Sequence, residues 1–118
     1  VAVRFVPHLV PLIGGILSTV YIRVDRDLSE AAIRRVYLNA YADEAFIDVL
    51  PAGQHPDPRH VRGTNRCHLV LFLDDGLLVI QSAIDNLCKG SSGQAIQCFN
   101  LMAGFPETLG LTATAVFP

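Results

Sequence analysis

The sequence predicts an α+β fold, a mixed or antiparallel sheet with helices on one face, on three observations. Short runs of β-branched and aliphatic residues recur along the chain. An Asp-Asp-Gly turn joins two of them as a hairpin, and only two segments carry helical periodicity.

Residues 1–6 alternate enough to form a strand, which Pro7 ends by removing a donor. Gly14-Gly15 separates a short apolar stretch from a second strand, residues 16–24, where Thr19, Val20, Ile22 and Val24 cluster. A helix follows. Asp27 or Ser29 is its N-cap, and Glu30 stands at capping-box spacing from Asp27. Ile33, Val36, Tyr37, Ala40 and Tyr41 share one helical face opposite Arg34, Arg35 and Asn39, so this stripe is expected against the sheet. Residues 46–50 form a short strand closed by Pro51. From Pro51 through Arg66 the chain holds three prolines, two glycines and almost no apolar side chains. A loop this long inside a domain is usually functional, and it carries the only concentrated basic set: Arg59, His60, Arg62 and Arg66.

Residues 68–73 and 77–82 make the clearest hairpin, turning at Asp74-Asp75-Gly76. Leu69, Val70, Leu71 and Phe72 are apolar in succession, so its second face needs a cover from another subunit or a further domain. Gly90-Ser91-Ser92-Gly93 then opens a helix whose apolar residues are Ala95, Ile96, Phe99 and Met102. It ends near Gly104, with Pro106 beyond.

The totals describe one small globular domain or a piece of a larger one: 118 residues, 51% hydrophobic, 17% charged. A net charge of −2 gives no electrostatic reason to expect nucleic acid or an anionic membrane as partner. No apolar run reaches the ~18 residues of a membrane span. Residues 1–6 contain Arg4, unlike a secretory signal, and Val1 in place of Met points to a chain that begins inside a longer product. Cys67, Cys88 and Cys98 are an odd set without a C-x-x-C pair, which reads as free thiols in a reducing compartment. The four histidines make no zinc pattern, so no metal site is expected.

Three constellations can carry chemistry. His8, between Pro7 and Pro11 after the first strand, sits in a rigid connection suited to acid–base work, or else simply bonds backbone there. Asp85-Asn86 leads into the glycine-rich helix start, whose N–H groups suit phosphates and amide oxygens. Asn86 offers a donor and an acceptor to a carboxamide; equally, Asp85 and Asn86 close a turn while the glycines and serines cap the helix. Arg62 or Arg66 can hold a carboxylate or phosphate by a bidentate contact, or the basic run is a solvated loop. None of the cysteines has a base that would activate it.

Read together, these segments resemble a known family. Phe5-Val6-Pro7-His8-Leu9-Val10-Pro11 with Gly15-Ile16-Leu17, Val61-Arg62-Gly63-Thr64-Asn65 with Cys67-His68, and Asp85-Asn86-Leu87 through Gln94-Ala95 are similar to motifs of the N-acetyl-gamma-glutamyl-phosphate reductases. Phe105-Pro106-Glu107-Thr108 and the final Phe117-Pro118 match that family's C-terminus, so the likeness runs from end to end.

The resemblance implies a partial C-terminal catalytic and dimerisation domain over residues 1–118, with a sheet like that of the second domain of glyceraldehyde-phosphate-type dehydrogenases. It implies an NADP-dependent reduction of an acyl phosphate, N-acetyl-gamma-glutamyl phosphate, to N-acetylglutamate semialdehyde in arginine biosynthesis. His8 would be the acid–base partner of a nucleophilic cysteine, Asn86 would face the nicotinamide carboxamide, and Gly90 would let the cofactor approach closely. Arg62 as holder of substrate anions extends that reading. A homo-oligomer is expected, in the cytoplasm of bacteria or the plastid of plants. Two departures stand out: nothing here corresponds to the nucleophile or the dinucleotide fingerprint, and Gly14 stands where many relatives carry arginine. This stretch alone is therefore expected to be inactive. The competing readings are a sister reductase of aspartyl or aminoadipyl phosphate, and a non-catalytic dimerisation module.

Overall fold

The computed structural model describes residues 2–116. Four strands form one mixed sheet in the order β1-β4-β3-β2: β1 (Ile16–Arg23), β2 (Ile47–Val49), β3 (Cys67–Asp74) and β4 (Leu77–Ile84). β4 pairs antiparallel with β1 and β3, and β2 runs parallel to β3. The β3–β4 hairpin is set by its turn. Asp75 and Gly76 both take positive φ, 41° and 74°, which two-residue hairpins require and which Asp-Gly supplies at low cost.

Helix α1 (Glu30–Ala40) packs by Ile33 on Leu69, Leu71 and Leu78, with Tyr37, Tyr41, Val49 and Ile80 around them. Val36 and Ala40, expected on the same stripe, are exposed instead. The sheet touches α1 along the narrower line of Ile33, Tyr37 and Tyr41, spaced by four. Ser29 is the N-cap, its hydroxyl accepting from Ala32 N–H. Glu30 does not close a capping box with Asp27; its Oε2 accepts from Leu73 N–H of β3 at 3.1 Å and so ties the helix start to the sheet. Arg34, expected on the solvent side, donates to the carbonyls of Val49 and Leu50 where β2 ends.

Residues 2–6 form no strand. They are exposed, and no sheet neighbour among the described residues pairs with them, so alternation alone gives them no ladder; Val1 lies outside the described residues. The hairpin's second face is covered in part by the chain itself: His55 of the long loop stacks on Phe72 at 5.1 Å and meets Gln81 Oε1 at 3.3 Å. Val70 and Ala83 are wholly buried. β1 stays exposed on both faces, Tyr21 by 67%.

After β4 a single π turn (Cys88–Ser92) leads into α2 (Gly93–Ala103). The apolar residues of this helix face outward. It buries Gly93, Gln97 and Asn100 and exposes Ile96, Phe99 by 60% and Met102 by 88%. The polar side chains are drawn inward by partners. Gln97 Oε1 accepts from Asn65 Nδ2 (3.0 Å) and Lys89 Nζ (2.6 Å), and Gln97 Nε2 donates to Glu107 Oε1. Asn100 Nδ2 donates to the carbonyls of Glu107 and Leu109. Gly104 and Phe105 N–H close the helix end on Leu101 and Asn100 carbonyls. No helix among the described residues is long and apolar enough to cross a membrane.

Candidate active site

The three motif segments meet at Asp85-Asn86, the two residues that leave β4. Asp85 is buried, and both its carboxylate oxygens accept backbone N–H groups: Oδ1 from Leu87 (2.8 Å) and Cys88 (2.6 Å), Oδ2 from Gly63 (2.9 Å). Its carbonyl accepts from Gly90 N–H at 2.8 Å. Asn86 Oδ1 accepts from Gly15 N–H at 2.7 Å. One dipeptide therefore holds the loop after Arg62, the turn carrying Gly90, and the end of the segment that begins with His8.

Tight approaches lock this junction. Gly15 has φ +102°, and a Cβ there would stand 2.6 Å from Pro58 Cβ. A Cβ on Gly93 would collide with Asn65 Oδ1 and lie 2.9 Å from the Cys88 carbonyl carbon and oxygen. Gly90 is exposed, and a Cβ there would press on the Asp85 carbonyl at 3.1 Å.

The sequence reading of a phosphate cradle at the glycine-rich helix start meets a geometric answer. The N–H groups of Leu87 and Cys88 are held by Asp85, that of Gly90 by the Asp85 carbonyl, that of Ser92 by Leu87, and that of Gly93 by Cys88. These five N–H groups are thus already taken by the chain's own acceptors.

Of the basic set, Arg59 pairs with Asp57 and Arg66 with Asp48. The Arg59 guanidinium, by hydrogen bond, holds Asp57 down to about 2. Arg62 is half-buried, and its guanidinium has no ion pair among the described residues, which leaves it able to meet an anion. The peptide following Arg62 is fixed on both sides: its carbonyl accepts from Val116 N–H and its N–H, that of Gly63, meets Asp85. His8 is exposed. Its Nδ1 lies 3.1 Å from the Val6 carbonyl, a hydrogen bond in the tautomer that carries its proton on Nδ1. The structure joins His8 to Asn86 through the backbone at Gly15 but does not bring its ring to Asn86, Arg62 or Gly90.

Cys67 and Cys88 are both pushed up, first by burial, and Cys88 further by the Asp85 charge, so neither is poised as a thiolate. Among the described residues no cluster of three His, Cys, Asp or Glu side chains is placed to hold a metal.

Sequence reasoning treated Asp85 as a turn closer and missed its reach to Gly63. It also missed Gln97, Asn65 and Glu107 as a buried polar network. The one signal for the latter is that Gly93, Gln97 and Asn100 recur at helical spacing as a polar face.

Asp85 also carries a pH dependence. Burial pushes its carboxyl up, but the N–H groups of Gly63, Cys88 and Leu87 outweigh that and bring it below the ordinary carboxylate range. A depressed folded-state value stabilises the fold above the unfolded value of ~3.9, and that contribution is lost as pH falls through the folded value. Urea midpoints at pH 5 and pH 2.5 are expected to fall further for the parent protein than for Asp85→Asn.

Comparison with known proteins decides the family. The semialdehyde dehydrogenase dimerisation domain matches residues 1–86. This chain belongs to that family. Across its whole length it is 52% identical to the N-acetyl-gamma-glutamyl-phosphate reductase of Moorella thermoacetica, and 48% identical to the proteins of that name from Polynucleobacter asymbioticus and Geobacter metallireducens. It spans about a third of the length of those relatives, 35%, 34% and 35%. Membership in a dimerisation-domain family implies homo-oligomerisation. The family match stops at Asn86, so the π turn and α2 lie beyond it.

Proposed function

We propose that this chain is the C-terminal part of an NADP-dependent N-acetyl-gamma-glutamyl-phosphate reductase, which makes N-acetylglutamate semialdehyde from the acyl phosphate. The observation that carries the reading is an identity near 50% over the whole chain to reductases of that name, together with the meeting of its three motif segments at one junction. The cysteine nucleophile and the nucleotide-binding domain then belong to the remaining two thirds of a protein of the relatives' length.

In this reading NADPH supplies the hydride. On that reading Asn86, with its oxygen on Gly15 N–H, keeps its amide Nδ2 to donate to a carboxamide oxygen of the nicotinamide, and exposed Gly90 lies in the same turn. His8 Nε2 takes and returns the proton that moves as the cysteine adduct forms and collapses. Arg62 holds an anionic group of the substrate.

The outward face of α2 supports the division of the protein. Ile96, Phe99 and Met102 lie on one exposed apolar stripe. They belong to a helix outside the dimerisation match, so in this reading α2 docks on the nucleotide-binding domain while β1 and the sheet serve the partner subunit.

Phosphate-dependent NADP reduction by the chain extended to the relatives' length tests the proposal. N-acetylglutamate semialdehyde is expected to be oxidised at least a hundredfold faster than aspartate semialdehyde. Preference for aspartate semialdehyde would replace this reading with the sister reductase, and failure to bind NADP would leave only a dimerisation module.

A further inference from the structure

We infer that Asp85 is a positioning residue for this reaction, holding the Arg62 loop and the Asn86–Gly90 turn at a fixed separation. The inference rests on the reductase reading. Three N–H groups converge on one buried carboxylate: Gly63, which lies 22 residues away in sequence, and Leu87 and Cys88 just beyond. The Gly63 N–H belongs to the peptide that follows Arg62, so this bond places the Arg62 backbone. The Leu87 and Cys88 bonds shape the turn on which Asn86 holds Gly15 and Gly90 folds back on the Asp85 carbonyl. His8, Arg62 and the face offered to the cofactor stand on three separate segments, and Asp85-Asn86 is where they are joined.

Neither a neutral amide nor a shorter side chain can do this. Asparagine has one oxygen, and its NH2 group would turn a donor toward an N–H. Serine can accept from Leu87 and Cys88 in the manner of a local turn, yet falls short of Gly63. The reacting groups would then be misplaced rather than removed, and small misplacements cost turnover steeply.

The test compares Asp85→Asn in two backgrounds of the full-length protein, the parent and Arg62→Ala, with turnover normalised to folded protein. In the parent background kcat/KM is expected to fall roughly ten- to hundredfold. In the Arg62→Ala background the further fall is expected to be clearly smaller, roughly threefold, because the substrate contact that the Asp85–Gly63 bond positions is already gone. An equal fold-loss in both backgrounds would reduce Asp85 to a structural residue and overturn the inference while leaving the reductase reading intact. No turnover by the parent with N-acetylglutamate semialdehyde would sink the reading and the inference together. If Asp85→Asn does not fold, Asp85→Ser carries the same comparison.

Discussion

Replacing His8 by asparagine in the full-length protein is expected to lower turnover at least a hundredfold and to leave thermal stability nearly unchanged. The two halves of that expectation have different physical sources. His8 is exposed, and its one hydrogen bond among the described residues is with a carbonyl two residues away in the same segment. Asparagine can donate to that carbonyl as well, so the cost to folding is that of a surface substitution, within about 0.5 kcal/mol. What asparagine lacks is an imidazole nitrogen able to act as acid and base. Positioned acid–base groups contribute about 10²–10⁴ in rate, which sets the expected fall. Steady-state kinetics beside a thermal scan separate the outcomes. A fall below tenfold with intact folding would remove His8 from the chemistry. A large fall accompanied by lost stability would mean that the ring holds the Pro7–Pro11 segment in place instead. The dissociation of the two readouts identifies the role, because a structural histidine moves both.

The hairpin, the two edge strands and the first helix were legible because their signals are local. Asp75-Gly76 demands one kind of turn, and β-branched runs favour a pleated surface whatever lies beside them. The first six residues misled because alternation reports a preference for extended backbone, whereas a strand also needs a neighbour. The facing of α2 was not legible for a related reason. Its apolar stripe of Ile96, Phe99 and Met102 was legible, but periodicity cannot say whether that stripe faces this domain or another one. Here Lys89, Asn65 and Glu107 claim the polar side, and the apolar side is left outward. The candidate site stands in the sequence as three separate motifs. Their junction was not, since a carboxylate bonded to an N–H 22 residues away leaves no periodic trace in a sequence.

The junction also sets the largest expected loss of stability, at Gly15. An alanine there meets two independent penalties. Its φ of +102° lies in a region that L side chains rarely adopt, and its Cβ would stand 2.6 Å from Pro58 Cβ and 3.4 Å from the Ile84 carbonyl. The first costs about 1–3 kcal/mol and the second, as overpacking against a stiff proline ring, about 1–3 more. Gly53 separates the terms. Its φ is +80°, yet nothing lies within 4 Å of a Cβ built there, so Gly53→Ala carries the backbone penalty alone. Urea unfolding is expected to show Gly15→Ala losing roughly 2–6 kcal/mol and Gly53→Ala roughly 1–3. Equal losses would mean that the loop bearing Pro58 gives way freely, and that the junction is softer than its contacts indicate. The functional consequence follows from the same contact. Gly15 N–H is what Asn86 holds, so a displaced Gly15 carries the His8 segment with it. Turnover of the folded Gly15→Ala fraction should therefore fall as well, and that of Gly53→Ala should not.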